Sequence, residues 1–310
     1  MKGHSGNRGN EEADCLASAG TEKPATLTED NLAPPPGKKK TGAALASLSQ
    51  KDFYKIIRDR RKVPTRKHAG NNVANIQEGA KETFGVKPTR ERVWLATKHK
   101  DLTRKTHDFL WKSTQNAYKV GNYWTRIEGY QERGVCPICN EVEDMAHILT
   151  TCSVGTQAKT WQLANETWAK RHGTELPNTL GGILGCGLAA FSTGGKPDRG
   201  KNRLYRILMS EAAYLIWKLR NERRIRDNEG QVQMDKEVTT RWTNTLNKRL
   251  TMDRMLTNEA RFQKNALEAS TVKGTWRGCL RNEAELPADW PKARGVLVGI
   301  LVARPPGRIS

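Results

Sequence analysis

Four side chains constrain this chain more than any other feature: Cys136, Cys139, His147 and Cys152, in the pattern C-x2-C-x7-H-x4-C. Two cysteines separated by two residues can chelate one ion from a tight turn. The four residues between His147 and Cys152 suit a short helical turn that presents both toward the same centre. Three thiolates and one imidazole complete a tetrahedral zinc shell, with no position left for water, so the expected zinc is structural. Such an ion staples a segment, 136–152, too short to build its own core. The alternative is three unrelated buried cysteines and a core histidine. Four ligand-type residues within seventeen positions, in a chain with six cysteines and six histidines, argue against it. Glu143 or Asp144 can accept a hydrogen bond from the other ring nitrogen of His147, or can be a solvated acidic turn. Cys15, Cys186 and Cys279 have no partners in sequence and read as plain thiols. So few cysteines, clustered this way, indicate metal in a reducing compartment rather than a disulfide framework.

The rest of the chain reads as helix. Ser49 is a candidate N-cap for a helix carrying Phe53, Ile56, Ile57 and Arg60 at helical spacing. Asn72 is expected to cap a second helix, with Val73, Ile76, Ala80 and Phe84 on one face and Gly85 and Pro88 ending it. Thr89 is expected to cap a third. A longer helix runs from Leu102 to Tyr118, and Gly121 breaks it. Trp161, Ala164 and Trp168 share a face. The run Gly181-Gly182-Ile183-Leu184-Gly185-Cys186-Gly187 lacks phosphate-loop spacing, so its glycines read as a turn or as close packing. The clearest amphipathic helix carries Leu204, Ile207, Leu208, Ala212, Leu215, Ile216 and Leu219, and ends in Arg220, Arg223, Arg224 and Arg226. One or two further helices span Met234 to Lys264, with Val238, Trp242, Leu246 and Leu250 as the first stripe. Val296–Val302 can form a strand or a fraying tail. Alternating strand patterns are absent, so the body is mainly α. All nine tryptophans lie between Trp94 and Trp290 and supply bulk for its core.

Charge narrows the partners. Fifty-three Lys and Arg against thirty-three Asp and Glu give a net charge of +20. Nucleic acid is the obvious polyanion to meet such an excess, although a basic surface can also serve solubility alone. Residues 51–70 hold eight Lys or Arg against two acids, and residues 196–226 form a second basic stretch. Lys55, Arg58, Arg60, Arg61, Arg220, Arg223 and Arg224 are the candidate phosphate contacts. No apolar run is long enough to span a membrane, and the N-terminus lacks the apolar core of a signal peptide. The expected location is therefore intracellular.

The opening residues, Lys2-Gly3-His4-Ser5-Gly6-Asn7-Arg8-Gly9-Asn10-Glu11-Glu12-Ala13-Asp14-Cys15-Leu16-Ala17, resemble the end of a type 1 ribonuclease H domain. The resemblance places His4 on the loop that assists turnover and Asp14 on a helix that helps hold a catalytic divalent ion. The remaining acids of that family would lie before residue 1, so the chain is expected to be a truncated or fragmentary piece. Magnesium chemistry belongs only to a complete domain, because two hard ions need several converging carboxylates. Phe109-Leu110-Trp111-Lys112, the Cys136/Cys139/His147/Cys152 set, Trp161 and Ile216-Trp217-Lys218-Leu219-Arg220-Asn221-Glu222-Arg223 then follow in order. Together they are similar to the zinc-binding region after ribonuclease H in fungal non-LTR retrotransposon polyproteins.

That resemblance implies a nuclear location, zinc at the four ligand positions and a role in holding RNA or DNA during reverse transcription. The expected organisation is a ribonuclease H remnant at 1–20, a Pro/Lys linker at 21–48, a helical zinc-binding region at 49–268 and an irregular tail at 269–310. The expected function is a non-catalytic, zinc-stabilised, nucleic-acid-binding module whose partners include the missing upstream domains. The alternatives are an RNA–DNA hybrid ribonuclease, as the activity of the complete parent, and a zinc-stabilised protein-interaction module.

Overall fold

The computed structural model describes residues 8–22, 48–61, 67–153, 155–225 and 233–299. The chain divides into two units, Met1–Pro64 and Thr65–Ser310. In the first unit are α1 (Arg8–Thr21) and α2 (Gln50–Arg61). Ser49 caps α2 as its sequence predicts. The Ser49 amide donates to Asp52 Oδ2 at 3.0 Å, and the Asp52 amide donates back to Ser49 Oγ at 3.3 Å, a reciprocal box that satisfies N-terminal donors. Although α2 has the predicted apolar spacing, it buries none of its residues: Phe53, Tyr54, Ile56 and Ile57 are all exposed. His4, and residues 23–47 of the linker expected at 21–48, lie outside the described residues, while Thr21 belongs to α1.

The second unit carries α3 (Lys67–Phe84), α4 (Arg90–Ala96), α5 (Arg104–Thr114), α6 (Gly155–His172), α7 (Leu180–Leu184), α8 (Arg199–Ile225), α9 (Asp235–Met255), α10 (Glu259–Phe262) and α11 (Ala269–Trp276). Among the described residues the only strands are β1 (Ser192–Thr193) and β2 (Lys196–Pro197), a two-stranded hairpin. No helix of the described residues is long and apolar enough to cross a membrane.

Helix α8 is the axis of the unit. Its 27 residues span about 40 Å at 1.5 Å per residue. Helices α5, α6, α7, α9 and α11 all pack on it. The sequence predicts one apolar stripe, but Tyr205, Met209 and Ala213 are buried as well. A helix with neighbours on several sides hides more than the face a surface helix would. The α9 stripe of Val238, Trp242, Leu246 and Leu250 is fully buried as predicted. Each such side chain contributes about 1.5–3 kcal/mol relative to exposure.

Several boundaries differ from the sequence reading, and the helix expected from Leu102 to Tyr118 is confined to Arg104–Thr114. Asn72 does not cap a helix; it lies within α3, and its amide donates to the carbonyls of Ser113 and Thr114 at 3.2 Å each. It thereby supplies a donor to the Thr114 carbonyl and a further one to that of Ser113 at the C-terminus of α5, a tertiary service that local sequence does not reveal. Residues 269–299, expected to be irregular, contain α11 and bury Val272, Trp276, Trp290, Val296 and Val298 in the common core. A single isolated bridge, Leu280 with Val298, is all the pairing the Val296 run makes among the described residues.

The glycine run after α6 permits close packing, as its composition suggests. A Cβ at Gly181 would overlap the Asn75 carbonyl oxygen of α3, and one at Gly187 would overlap that of Ala96. Buried charge completes the core. Arg203 donates from Nε to Asp101 at 3.1 Å and pairs with both oxygens of Asp253 at 2.6 and 2.8 Å. Trp276 Nε1 donates to the same Asp253 carboxylate at 2.9 Å. The planar guanidinium thus joins α8 to α9, and the indole adds α11.

Candidate metal centre

Local backbone chemistry builds the cluster from two turns. The first is a hairpin: Val135 bridges Val142 antiparallel, and the Cys136 amide donates to the Glu141 carbonyl at 2.8 Å. Asn140 closes it, with its amide on the Cys136 carbonyl at 2.9 Å and a left-handed φ of 56°. Asparagine tolerates that conformation better than most residues. The second turn is a π-type turn over His147–Thr151, in which the Cys152 amide donates to the His147 carbonyl at 2.9 Å. This wide turn brings His147 and Cys152, five residues apart, to one side; such turns are often found at functional sites.

The four side chains meet as the spacing predicts. The ligand atoms of Cys136, Cys139, His147 and Cys152 all lie within 4.8 Å of one another. Cys136 Sγ and Cys152 Sγ are 3.9 Å apart, nearly twice the ~2.05 Å of a disulfide. His147 Nε2 lies 3.2 Å from Cys139 Sγ. Cys136, His147 and Cys152 are buried and Cys139 is half-buried. Burial pushes the Cys136 thiol up, but backbone hydrogen bonds from Cys139 and Ile138, with contributions from His147 and Cys139, outweigh it and bring the pKa to about 7. The turn therefore favours thiolate, the ligand form of cysteine.

The acidic residues of this loop take three separate roles. Glu141 Oε2 lies 3.3 Å from His147 Nδ1, in ion-pair range though off a hydrogen-bond line. It stands nearest the ring nitrogen for which sequence offers Glu143 or Asp144. Asp144 Oδ1 accepts the His147 backbone amide at 2.8 Å and so starts the π turn. Glu143, only 1 % exposed, reaches the arginines at the C-terminal end of α8. Arg220 pairs with it, Arg224 Nε approaches it at 3.4 Å and Arg223 Nη2 at 4.0 Å. Arg224 also donates to the Arg133 carbonyl at 2.7 Å.

The three α8 arginines thus gather around one carboxylate within the protein. Arg223 is buried, and Arg220 and Arg224 are half-buried around one carboxylate. Their spacing at i, i+3 and i+4 places them on one face of the helix. The other candidate phosphate contacts, Lys55, Arg58, Arg60 and Arg61 on α2, are all exposed. Asp14 is exposed on α1. The only group of three or more ligand-type side chains gathered together among the described residues is the Cys/Cys/His/Cys cluster, and Asp14 is outside it. No sheet of a ribonuclease H type accompanies Asp14 among the described residues.

Fold and site together define a mainly helical module with a compact cluster able to hold a metal ion. Comparisons of the chain with protein-family models, with curated proteins and with solved structures give no match.

Proposed function

We propose that the chain is a zinc-stapled helical module that binds nucleic acid and works as part of a retroelement polyprotein, without catalysis of its own. The observation that supports zinc is the cluster's own spacing. Zinc takes sulfur at about 2.3 Å and imidazole nitrogen at about 2.0–2.1 Å, so a tetrahedron separates two sulfurs by about 3.8 Å and sulfur from nitrogen by about 3.5 Å. The separations of 3.9 Å for Cys136–Cys152 and 3.2 Å for Cys139–His147 fall close to those values. With Nε2 on the ion, Nδ1 would face Glu141, whose Oε2 lies 3.3 Å away. Four protein ligands fill the shell, so the ion holds two turns together.

Charge supports the nucleic-acid part. Zinc with three thiolates and a neutral imidazole carries −1, and Glu143 adds −1. Arg220, Arg223 and Arg224 supply +3, so the neighbourhood is nearly balanced. Glu143 and the three arginines account for only +2 of the chain's +20, so most of the excess belongs to other residues, including exposed Lys55, Arg58, Arg60 and Arg61. The retroelement assignment rests on the resemblance alone. Asp14 gathers no carboxylate set among the described residues, so hybrid cleavage is not assigned to this chain.

The test is metal analysis and nucleic-acid binding on one purified sample. One zinc per chain, with affinity that falls steeply as salt rises, is the expected result. A folded, zinc-free protein overturns the staple. Zinc without binding to single-stranded, duplex or hybrid nucleic acid overturns the partner.

A further inference from the structure

A cavity of about 400 Å³ opens between α3, the turns that follow α5 and the segment 144–146 that leads into the metal turn. Its size lies within the range of about 300–1,000 Å³ usual for small-molecule sites. Its chemistry is unusual: five of its fifteen lining residues are asparagine. Asn72 is committed to the carbonyls of Ser113 and Thr114. The side-chain amides of Asn71, Asn75, Asn116 and Asn122 make no hydrogen bond to any other described residue. Each amide offers a donor and an acceptor side by side.

The remaining lining suits a flat ring. Val120, Met145, Leu180 and Leu184 give an apolar wall. Tyr123 stands at the cavity, 43 % exposed, with Lys119 Nζ 5.4 Å from its ring centre and Trp124 edge-on at 5.1 Å. Arg126, exposed and also in the lining, has no ion pair among the described residues. Beyond it the Arg133 guanidinium lies over both Trp124, at 5.4 Å, and Tyr130, at 4.9 Å. Aromatic rings interleaved with cations are what a single strand stacks and slides its phosphates against. The cavity itself is close to neutral. Asp144 offsets Arg126, and one Asp144 oxygen already accepts the His147 amide. A pocket for phosphate would gather cations; this one gathers amides, which read the edges of heterocycles.

We propose that this pocket receives one unpaired nucleobase of a bound single strand, held by the Asn71 and Asn75 amides and stacked at Tyr123, with Arg126 and Lys119 on the flanking phosphates. The proposal rests on the nucleic-acid reading above and locates it beside the metal turn rather than on the arginines of α8. A free nucleotide offers the same ring and edge chemistry, so the experiment separates the two sources.

The experiment uses the full chain loaded with zinc. A labelled single-stranded oligonucleotide is compared with the same backbone made abasic, and each of the four nucleoside monophosphates is tested alone. The base-bearing strand is expected to bind about 5- to 100-fold tighter than the abasic one. The double variant N71A/N75A, altered at two exposed positions of one helix face, is expected to lose that ratio while keeping its salt dependence. R126A is expected to keep the ratio and reduce the slope of log affinity against log salt by about one. Equal binding of base-bearing and abasic strands overturns the pocket and leaves the nucleic-acid reading standing. Failure of both strands to bind overturns both readings. Monophosphate binding that depends on Asn71 and Asn75, without discrimination between strands, overturns the strand proposal in favour of a free nucleotide.

Discussion

Arg220 of α8 pairs with Glu143 of the metal loop, seventy-seven residues away in sequence, and the Glu143 carboxylate is almost wholly buried. This contact fastens the segment that carries the four candidate ligands to the longest helix of the unit. Arg223 and Arg224 crowd the same carboxylate. One acid therefore holds three cations in place.

Removing that acid should be costly. Glu143→Ala leaves partly buried arginines uncompensated and is expected to destabilise the protein by about 3–5 kcal/mol. Glu143→Gln keeps the shape and some hydrogen bonding, so its loss should be smaller. Denaturant unfolding of the two variants checks the order. A Glu143→Ala protein as stable as wild type would show that the arginines have found other partners.

The metal cluster predicts a folding dependence on the ion. Cys136→Ser, Cys152→Ser or a strong chelator should release the metal and lower the melting temperature, because binding energy at such a site is folding energy. Cobalt in place of zinc should give the visible bands of a tetrahedral thiolate site in wild type and lose them in Cys136→Ser. Cys186→Ser, at a buried thiol outside the cluster, should leave metal content unchanged.

The second buried ion network makes a similar prediction in a different place. Asp253, fully buried, accepts from both terminal nitrogens of Arg203 and from the Trp276 indole. Asp253→Ala is expected to cost about 3–5 kcal/mol. Pairing it with Trp276→Ala should give less than the sum of the two losses, since the residues share a hydrogen bond. A double-mutant cycle measures this directly.

Two glycines carry a packing prediction. Gly187→Ala would drive a Cβ into the Ala96 carbonyl, whereas Gly274→Ala meets nothing within 4 Å. The first should destabilise by about 1–3 kcal/mol or more, and the second should be neutral or slightly stabilising, as a helical position of α11. Thermal melts of the pair provide the comparison.

Acid should weaken the fold through His172. Burial, and then the charges of Arg171 and Lys201, bring its pKa down to about 4 from the ordinary 6.5, with Asp198 opposing them. At pH 7 the ring is neutral whether the chain is folded or not. As pH falls from 6.5 toward 4 the unfolded chain takes up a proton that the folded chain resists, so stability declines across that window. His172→Gln should flatten this part of the stability profile. Identical profiles for variant and wild type would remove His172 as a cause.

The sequence itself determined the features that depend on near neighbours. The spacing of Cys136, Cys139, His147 and Cys152 marked a cluster, because each pair of ligands is joined by a turn short enough to fix its geometry locally. Ser49 and Thr89 announced their caps, and the stripe from Val238 to Leu250 announced a buried face. Tertiary structure decided what depends on elements meeting from afar. Asn72 looked like a cap until α5 presented its carbonyls. Arg220, Arg223 and Arg224 looked like free cations until Glu143 arrived from the metal loop. The α2 stripe formed the expected helix yet stayed exposed, while the tail expected to be irregular went into the core. A charge or an amide carries the same local signature whether it meets solvent, a buried carboxylate or an open pocket. Only packing sets its solvation and its partner, and that is where its role is fixed.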